Sequence, residues 1–311
     1  KRDLRAVDNT GLSNAVRDSR EVIPIYVLED GILSKQSEGS KRVTFLADAL
    51  LALDRELRAL GSYLLIVRGK AEEVIPALIQ THQIEAVYSN RAYGFSGVKR
   101  DLGVEHQCRL NGTAFKKFDD TFLVPPHELD QRKTFSSFFS LWQGKRKHPP
   151  LPGPERIESP ALEIPPVEKE LEPLGPGRLS GWPTDFPRKR LEDFDFAAYA
   201  ETRDHPWMDG TSKLSPYLRF GIVSIRRVYE AASGGSPATS SYISELAWRE
   251  FWYHIMHHFP ETRGLEFQEK RRNIRWINDE VWYDAWREGR TGYPIVDAGM
   301  NDLLRPALYQ A

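Results

Sequence analysis

A single cysteine, Cys108, stands among the 311 residues, which excludes an internal disulfide and any zinc site built on thiolates. A reducing compartment suits such a chain, and a cytoplasmic location is the expectation. No run approaches the roughly 20 apolar residues of a membrane helix, and the first 20 residues are too charged to hold the apolar core of a secretion signal. Charge of one sign is lacking as well: 43 basic residues face 44 acidic ones, for a net charge of −1. Nucleic-acid binding would therefore need a local patch, because no global field exists to supply it. The first half contains neither GxGxxG nor GxxxxGK[ST], so an ordinary dinucleotide or P-loop site finds no support. His254 and His258 have the i,i+4 spacing of a helical metal pair, but no HExxH motif and no third ligand accompany them, and no metal is expected.

What the chain does contain falls into two characters. The first 125 residues alternate short apolar runs with amphipathic stretches: 22–28 (VIPIYVL), 63–67 and 86–89 read as strands, 41–60 and 71–80 as helices. In the first of those helices Val43, Leu46, Leu50, Leu53, Leu57 and Leu60 recur at threes and fours, Ser40 stands at the cap, and Gly61 occupies the C′ position. This alternation predicts a doubly wound parallel α/β sheet. Between 149 and 187, 11 of 39 residues are proline. That density opposes regular structure and predicts an extended connection over the surface, so 141–187 is read as a linker. Six of the eight tryptophans fall in 188–311, where 242–258 and 280–288 read as helices. This part is expected to be all-α and lined with aromatics.

Four groups of residues carry chemistry. Thr211, Ser212, Lys213, Leu214 and Ser215 (TSKLS) precede a helix start at Pro216, where hydroxyls and free amides can hold a phosphate, or can simply cap the helix. Glu245, Trp248 and Arg249 in SELAWREFW share a helical spacing that can grip a flat, hydrogen-bonding ligand; the plainer reading is a core tryptophan beside a Glu–Arg pair. Lys270, Arg271, Arg272 and Arg275 put four cations into six residues, a patch for tracking phosphates or an ordinary solvated face. Trp276 follows that patch.

KRDLRAVDNTGL at the amino end, FDDTFLVPP (118–126), TSKLSPYLRFG (211–221), SELAWREFW (244–252) and TGYPIVDAGM (291–300) together resemble the cryptochrome/DNA photolyase family, most of all its cyclobutane pyrimidine dimer photolyases. The resemblance implies an antenna-type α/β domain over 1–140 and a helical FAD- and DNA-binding domain over 188–311. It implies that Tyr199 and 211–215 hold the FAD phosphates, that Glu245 and Trp248 contact the lesion, and that Arg249 lies on the flavin side. Arg203 and the 270–275 cations would contact DNA, and Trp276 would be the outer member of an electron-transfer chain. The activity implied is light-driven splitting of pyrimidine dimers in DNA, a carbon–carbon lyase reaction, by a monomer. A signalling cryptochrome that repairs nothing is the alternative, and an inactive fragment is a third reading. The family's folate-binding Asn-Glu pair is absent near Ser96 and Gly97, which makes folate doubtful as the antenna and leaves a deazaflavin, a second flavin or none. The pattern also implies a chain short of the family's length at both ends, lacking the first strand and the segment that completes the flavin pocket. The 188–311 half is accordingly expected to be marginally stable or prone to associate.

Overall fold

The computed structural model describes residues 2–29, 40–175, 183–234 and 239–304. Helix α1 (Thr10–Asp18) is capped by Asn9, whose side chain accepts from the Leu12 amide. It leads to strand β1 (Ile25–Leu28), helix α2 (Lys41–Ala59), strand β2 (Leu65–Arg68), helix α3 (Ala71–His82), strand β3 (Ala86–Asn90), helix α4 (Phe95–Leu110) and strand β4 (Ala114–Phe118). The α2 terminus is as the sequence predicts. Gly61 has φ +88°, its amide bonds to Arg58 O at 3.1 Å, and the Ser62 amide bonds to Leu57 O at 2.9 Å, the double closure of a Schellman motif.

The predicted single sheet is resolved into two parallel pairs, β1 with β2 and β3 with β4. The first strand is also shorter than the apolar run suggested. The Val22 amide bonds to Glu158 O at 2.8 Å, outside the sheet, and pairing with β2 starts where Pro24 O accepts from the Leu65 amide. Helices α1 and α2 cover one face with Leu12, Leu50, Leu53 and Leu57, where they meet Tyr26 and Leu28. Helices α3 and α4 cover the other with Ile79, Val104 and Cys108, where they meet Val27 and Val87.

Helix α5 (Phe135–Gly144) crosses the boundary expected at residue 140, and its Phe138 and Trp142 bury into the helical half. Residues 145–166 of the proline-rich stretch carry no helix or strand, Ile157 is fully buried with its amide bonded to Leu60 O, and Tyr63 donates to Pro160 O, while residues 176–182 of the expected linker lie outside the described residues. The stretch is not wholly irregular, because Pro166 starts a short helix, α6 (Val167–Leu171), that buries Val167 and Leu171 beneath α2. Proline restricts the residue before it and the turn it interrupts, but it is well suited to the first turn of a helix.

The remaining helices are α7 (Phe186–Asp193), α8 (Tyr199–Thr202), α9 (Ser215–Phe220), α10 (Ile225–Ala232), α11 (Ser240–His258), α12 (Glu280–Arg287) and α13 (Pro294–Leu304). One core serves both halves, joining Phe45 of α2 and Leu123, Val124 and Leu129 to Tyr217, Val228, Leu246, Phe251 and Ile255. Beside it runs a buried ionic seam. Asp120 accepts from Arg5 Nη2 at 2.6 Å and Arg226 Nη2 at 2.8 Å, while Asp8 accepts from Arg226 Nε at 2.7 Å. Arg5 also donates to Gly221 O at 3.0 Å, so the amino-terminal segment is tied directly to the end of α9. Among the described residues no helix is long and apolar enough to cross a membrane.

Candidate flavin- and DNA-facing site

Helix α11 organises the site, and its back face is fixed by a carboxylate that sequence reasoning passed over. Glu250 is 1 % exposed and accepts from the Leu123 amide at 2.5 Å, the Val124 amide at 3.1 Å and the Trp142 indole at 2.7 Å. Burial pushes its pKa up, and these donors work against that push. One side chain thus locks α11 to α5 and to the loop after β4. The His pair lies farther along the helix. His254 Nε2 accepts from the Arg132 amide at 3.0 Å, and His258 Nε2 sits 3.2 Å from Pro126 O and 3.1 Å from Leu129 O, so both rings brace that same loop region.

On the other side of α11, Glu245 Oε1 accepts from Arg203 Nη1 at 2.7 Å, and the Arg203 guanidinium lies 5.5 Å from the centre of the Tyr199 ring. Tyr199 stands edge-on to Tyr242 at 5.0 Å, and the Tyr242 hydroxyl donates to Ser212 Oγ at 2.8 Å. Glu245, Arg203, Tyr199, Tyr242 and Ser212 therefore form a chain of contacts, bringing together residues expected at the lesion, the DNA and the FAD phosphates. Trp248 is stacked on Phe135 with centroids 3.7 Å apart and planes within 5°, and Trp252 stacks beside it at 6.1 Å. Phe135 was not anticipated, since it lies in another helix more than a hundred residues earlier.

Arg249 does not share the partners of Glu245 and Trp248. A one-residue step turns the helix by 100°, and Arg249 Nη1 donates to Thr121 O at 3.1 Å, with its guanidinium 5.9 Å from the Tyr253 ring. Arg2 lies 4.9 Å from the same ring. Burial first, then the neighbouring Arg219 and Arg249, lowers Arg2 to about 9. The three-residue face expected from spacing is thus divided between a Glu–Trp side and a cationic side.

The 211–215 segment does not behave as a simple cap. The N-cap position of α9 is Leu214, which is buried and makes no side-chain capping bond, while Ser212 is spent on Tyr242. Lys213 turns the chain at φ +55° and pairs with Asp209 at 2.7 Å, and Arg190 anchors Thr211 O at 2.7 Å. Thr211 and Ser215 are exposed, and neither hydroxyl has a partner among the described residues. The turned backbone and the two exposed hydroxyls of this segment offer hydrogen-bond donors of the kind a phosphate group takes.

In the basic run, Arg272 is held by Glu266 O at 3.2 Å and by Glu269 at 3.9 Å, whereas Lys270, Arg271 and Arg275 are exposed with no carboxylate partner among the described residues. Trp276 is exposed and makes no ring contact with another tryptophan among the described residues. Further along the chain, Trp282, Tyr283, Trp286, Tyr293 and Ile295 are exposed too.

With this geometry in view, comparison with known proteins is direct. Residues 1–155 match the family described as DNA photolyase, and residues 242–308 match the FAD binding domain of DNA photolyase. A deoxyribodipyrimidine photo-lyase of Halobacterium salinarum is 32 % identical over 99 % of this chain and 70 % of its own length. One from a Synechococcus strain is 31 % identical over 97 % of this chain and 69 % of its own. An archaeal photolyase from Sulfolobus tokodaii, whose crystal structure holds two FAD molecules, superposes with a TM-score of 0.85 at 30 % identity, covering 98 % of this chain and 69 % of that one. A cryptochrome of Synechocystis superposes with a TM-score of 0.84 at 25 % identity, covering 97 % and 69 %. The FAD-binding region matched here contains Glu245, Trp248 and Arg249, and the chain belongs to the DNA photolyase/cryptochrome family.

Proposed function

We propose that this chain forms the flavin-facing and lesion-facing part of a deoxyribodipyrimidine photo-lyase that splits cyclobutane pyrimidine dimers in DNA under light. The observation that carries the reading is the Glu245–Arg203 pair beside the braced Trp248 ring. A base turned out of the duplex needs an acceptor for its N–H edge and an aromatic wall for its face. Glu245, half-buried and held through Oε1, keeps Oε2 for the first task, and Trp248 supplies the second. Arg203 orients the carboxylate and has further N–H donors for a nearby phosphate. Tyr199 and 211–215 would hold the phosphate end of FAD, Arg249 would lie on its flavin side, and Lys270, Arg271, Arg272 and Arg275 would follow the DNA backbone, with Trp276 as an outer electron carrier. When bound, FAD supplies light-driven electron transfer; the protein supplies position and charge.

The test is repair of a dimer-containing oligonucleotide by the FAD-loaded chain. Light-dependent loss of dimers is expected, and Glu245→Ala should lower it about 10- to 100-fold, the worth of one hydrogen bond to a charged group, while leaving flavin absorbance unchanged. Repair that survives Glu245→Ala undiminished, or no light-dependent loss with flavin bound, refutes the proposal. The second of these outcomes would favour a cryptochrome-type signalling role, a reading supported by the likeness to the Synechocystis cryptochrome.

A further inference from the structure

The excursion between α8 and the 211–215 segment holds an aromatic side chain that the proposed function leaves without a task. Residues 204–209 are all exposed, and Trp207 is 80 % exposed, the highest value of any large apolar side chain among the described residues. The His205 ring lies beside it at 4.8 Å, tilted by 43°. A single exposed apolar side chain is common and means little by itself. What sets this one apart is the frame that holds it.

Both ends of the excursion are pinned. On the near side two successive turns tighten the chain, with the His205 amide bonded to Thr202 O at 3.1 Å and the Met208 amide to His205 O at 3.0 Å. On the far side Arg190 pairs with Asp209 at 2.9 Å and donates to Thr211 O at 2.7 Å, and Lys213 pairs with the same carboxylate. Gly210 closes the loop: it is buried, and an added Cβ would overlap Thr202 O, so the returning chain lies directly on the end of α8. A loop tied down in this way has little conformational entropy left to lose when its tip binds.

The root of the loop is the lesion-facing site itself. Arg203 donates to Glu245 at 2.7 Å, and Trp207 follows four residues later, a reach of at most about 14 Å. That is about four base steps of roughly 3.4 Å. Charge along the loop is balanced within the protein, since Asp204 lies 3.7 Å from Arg203 and Asp209 is held by Arg190 and Lys213. Beyond Arg203 the tip thus offers a flat ring and no spare cation for a phosphate. Such a ring reads the face of a base. Inside an intact duplex those faces are covered by their neighbours, whereas turning a dimer out uncovers the bases beside it. We propose, on the lesion-facing reading of Glu245 and Trp248, that Trp207 stacks on a base uncovered when the dimer is turned out, and so adds to the preference for damaged over intact duplex.

The test measures binding in the dark, by fluorescence anisotropy, of labelled duplexes with and without one cyclobutane dimer. The full chain loaded with FAD is compared with its Trp207→Ala, Trp207→Phe and Glu245→Ala variants, each first shown by circular dichroism to be folded. Trp207→Ala should weaken binding of the dimer-containing duplex by about 10-fold or more, the worth of one base stacked on an aromatic ring, and leave the intact duplex unaffected. Trp207→Phe should recover most of that loss. Because no phosphate contact is removed, the loss should be the same factor at about 50 mM and about 200 mM salt. If Trp207→Ala keeps the full preference for the dimer while Glu245→Ala loses it, the proposal for Trp207 is overturned and the lesion-facing reading of Glu245 survives. An equal loss on both duplexes, or a loss that shrinks as salt rises, makes Trp207 a general DNA contact and also overturns the proposal. A preference that neither variant diminishes, or no preference in the unsubstituted chain, overturns both.

Discussion

Replacing Asp120 with alanine removes the centre of the ionic seam. Its carboxylate accepts from Arg5 Nη2 at 2.6 Å, Arg226 Nη2 at 2.8 Å, the Thr10 amide at 3.0 Å and the Thr10 hydroxyl at 2.9 Å. Two guanidiniums, from Arg5 and Arg226, are balanced by two carboxylates, from Asp8 and Asp120, and all four side chains are nearly inaccessible. Asp120→Ala leaves one positive charge uncompensated in that space, a change that typically costs about 3–5 kcal/mol. Against a total stability of about 5–15 kcal/mol this is a large fraction, and the urea midpoint should fall by more than about 1 M. Adding Arg226→Met restores neutrality, leaving Arg5 opposite Asp8, so the double variant should lose clearly less than the sum of the two single losses. Burial pushes the Asp120 carboxyl up, but Arg5 and Arg226 outweigh it and hold it below the usual carboxylate range. Its contribution is therefore present above about pH 4 and is lost as pH falls through the lower folded value. Chemical denaturation followed by circular dichroism between pH 7 and pH 3 measures both effects. A loss under about 1 kcal/mol at pH 7, or strict additivity in the double variant, would refute this account of the seam.

Gly221→Ala should be among the most damaging single-methyl additions. Gly221 has φ +75°, and an added Cβ would overlap the Arg2 carbonyl, which is backbone and cannot rotate aside. A left-handed penalty of about 1–2 kcal/mol plus displacement of the amino-terminal segment should lower the melting temperature sharply, whereas Gly112→Ala, at φ +68° with open space around it, should show the conformational penalty alone. His254 is fully enclosed, and burial followed by the nearby His258 lowers its pKa to about 4 from 6.5. The unfolded chain therefore takes up a proton that the folded chain refuses, and up to about 3 kcal/mol should be lost as pH drops from about 6.5 to about 4. In His254→Gln, which keeps an acceptor for the Arg132 amide, that share of the pH dependence should disappear from the stability profile.

What could be read from the sequence was what depends on near neighbours. The α2 repeat with its Gly61 terminus, the helices around 242–258 and 280–288, and the lack of helix or strand in residues 145–166 all follow from local periodicity or backbone restriction. The pairing of Arg203 with Glu245, and of Ser212 with Tyr242, became visible only in three dimensions, although all four residues lie in segments the sequence had marked. Phe135 and Glu250 were missed for the same reason: their partners lie more than a hundred positions away, and a phenylalanine or glutamate carries no local sign of such a contact. The RDLR run was legible as a resemblance, but the role of Arg5 as a tie to Asp120 and Gly221 was not. The split of the sheet also escaped periodicity, which reports that a segment is a strand and not which strand lies beside it.

The extended connection between α5 and α6 has a consequence for how this protein can be taken apart. Phe138 and Trp142 before it are embedded with Phe251 and Ile255 beyond it, while Ile157 within it is anchored to α2. Cutting the chain once among the exposed residues 143–146 would break continuity while leaving every buried partner in place. The two pieces would be expected to travel together through a sizing column and to come apart only in denaturant. Such a molecule could be expressed as two genes and still be assembled as one.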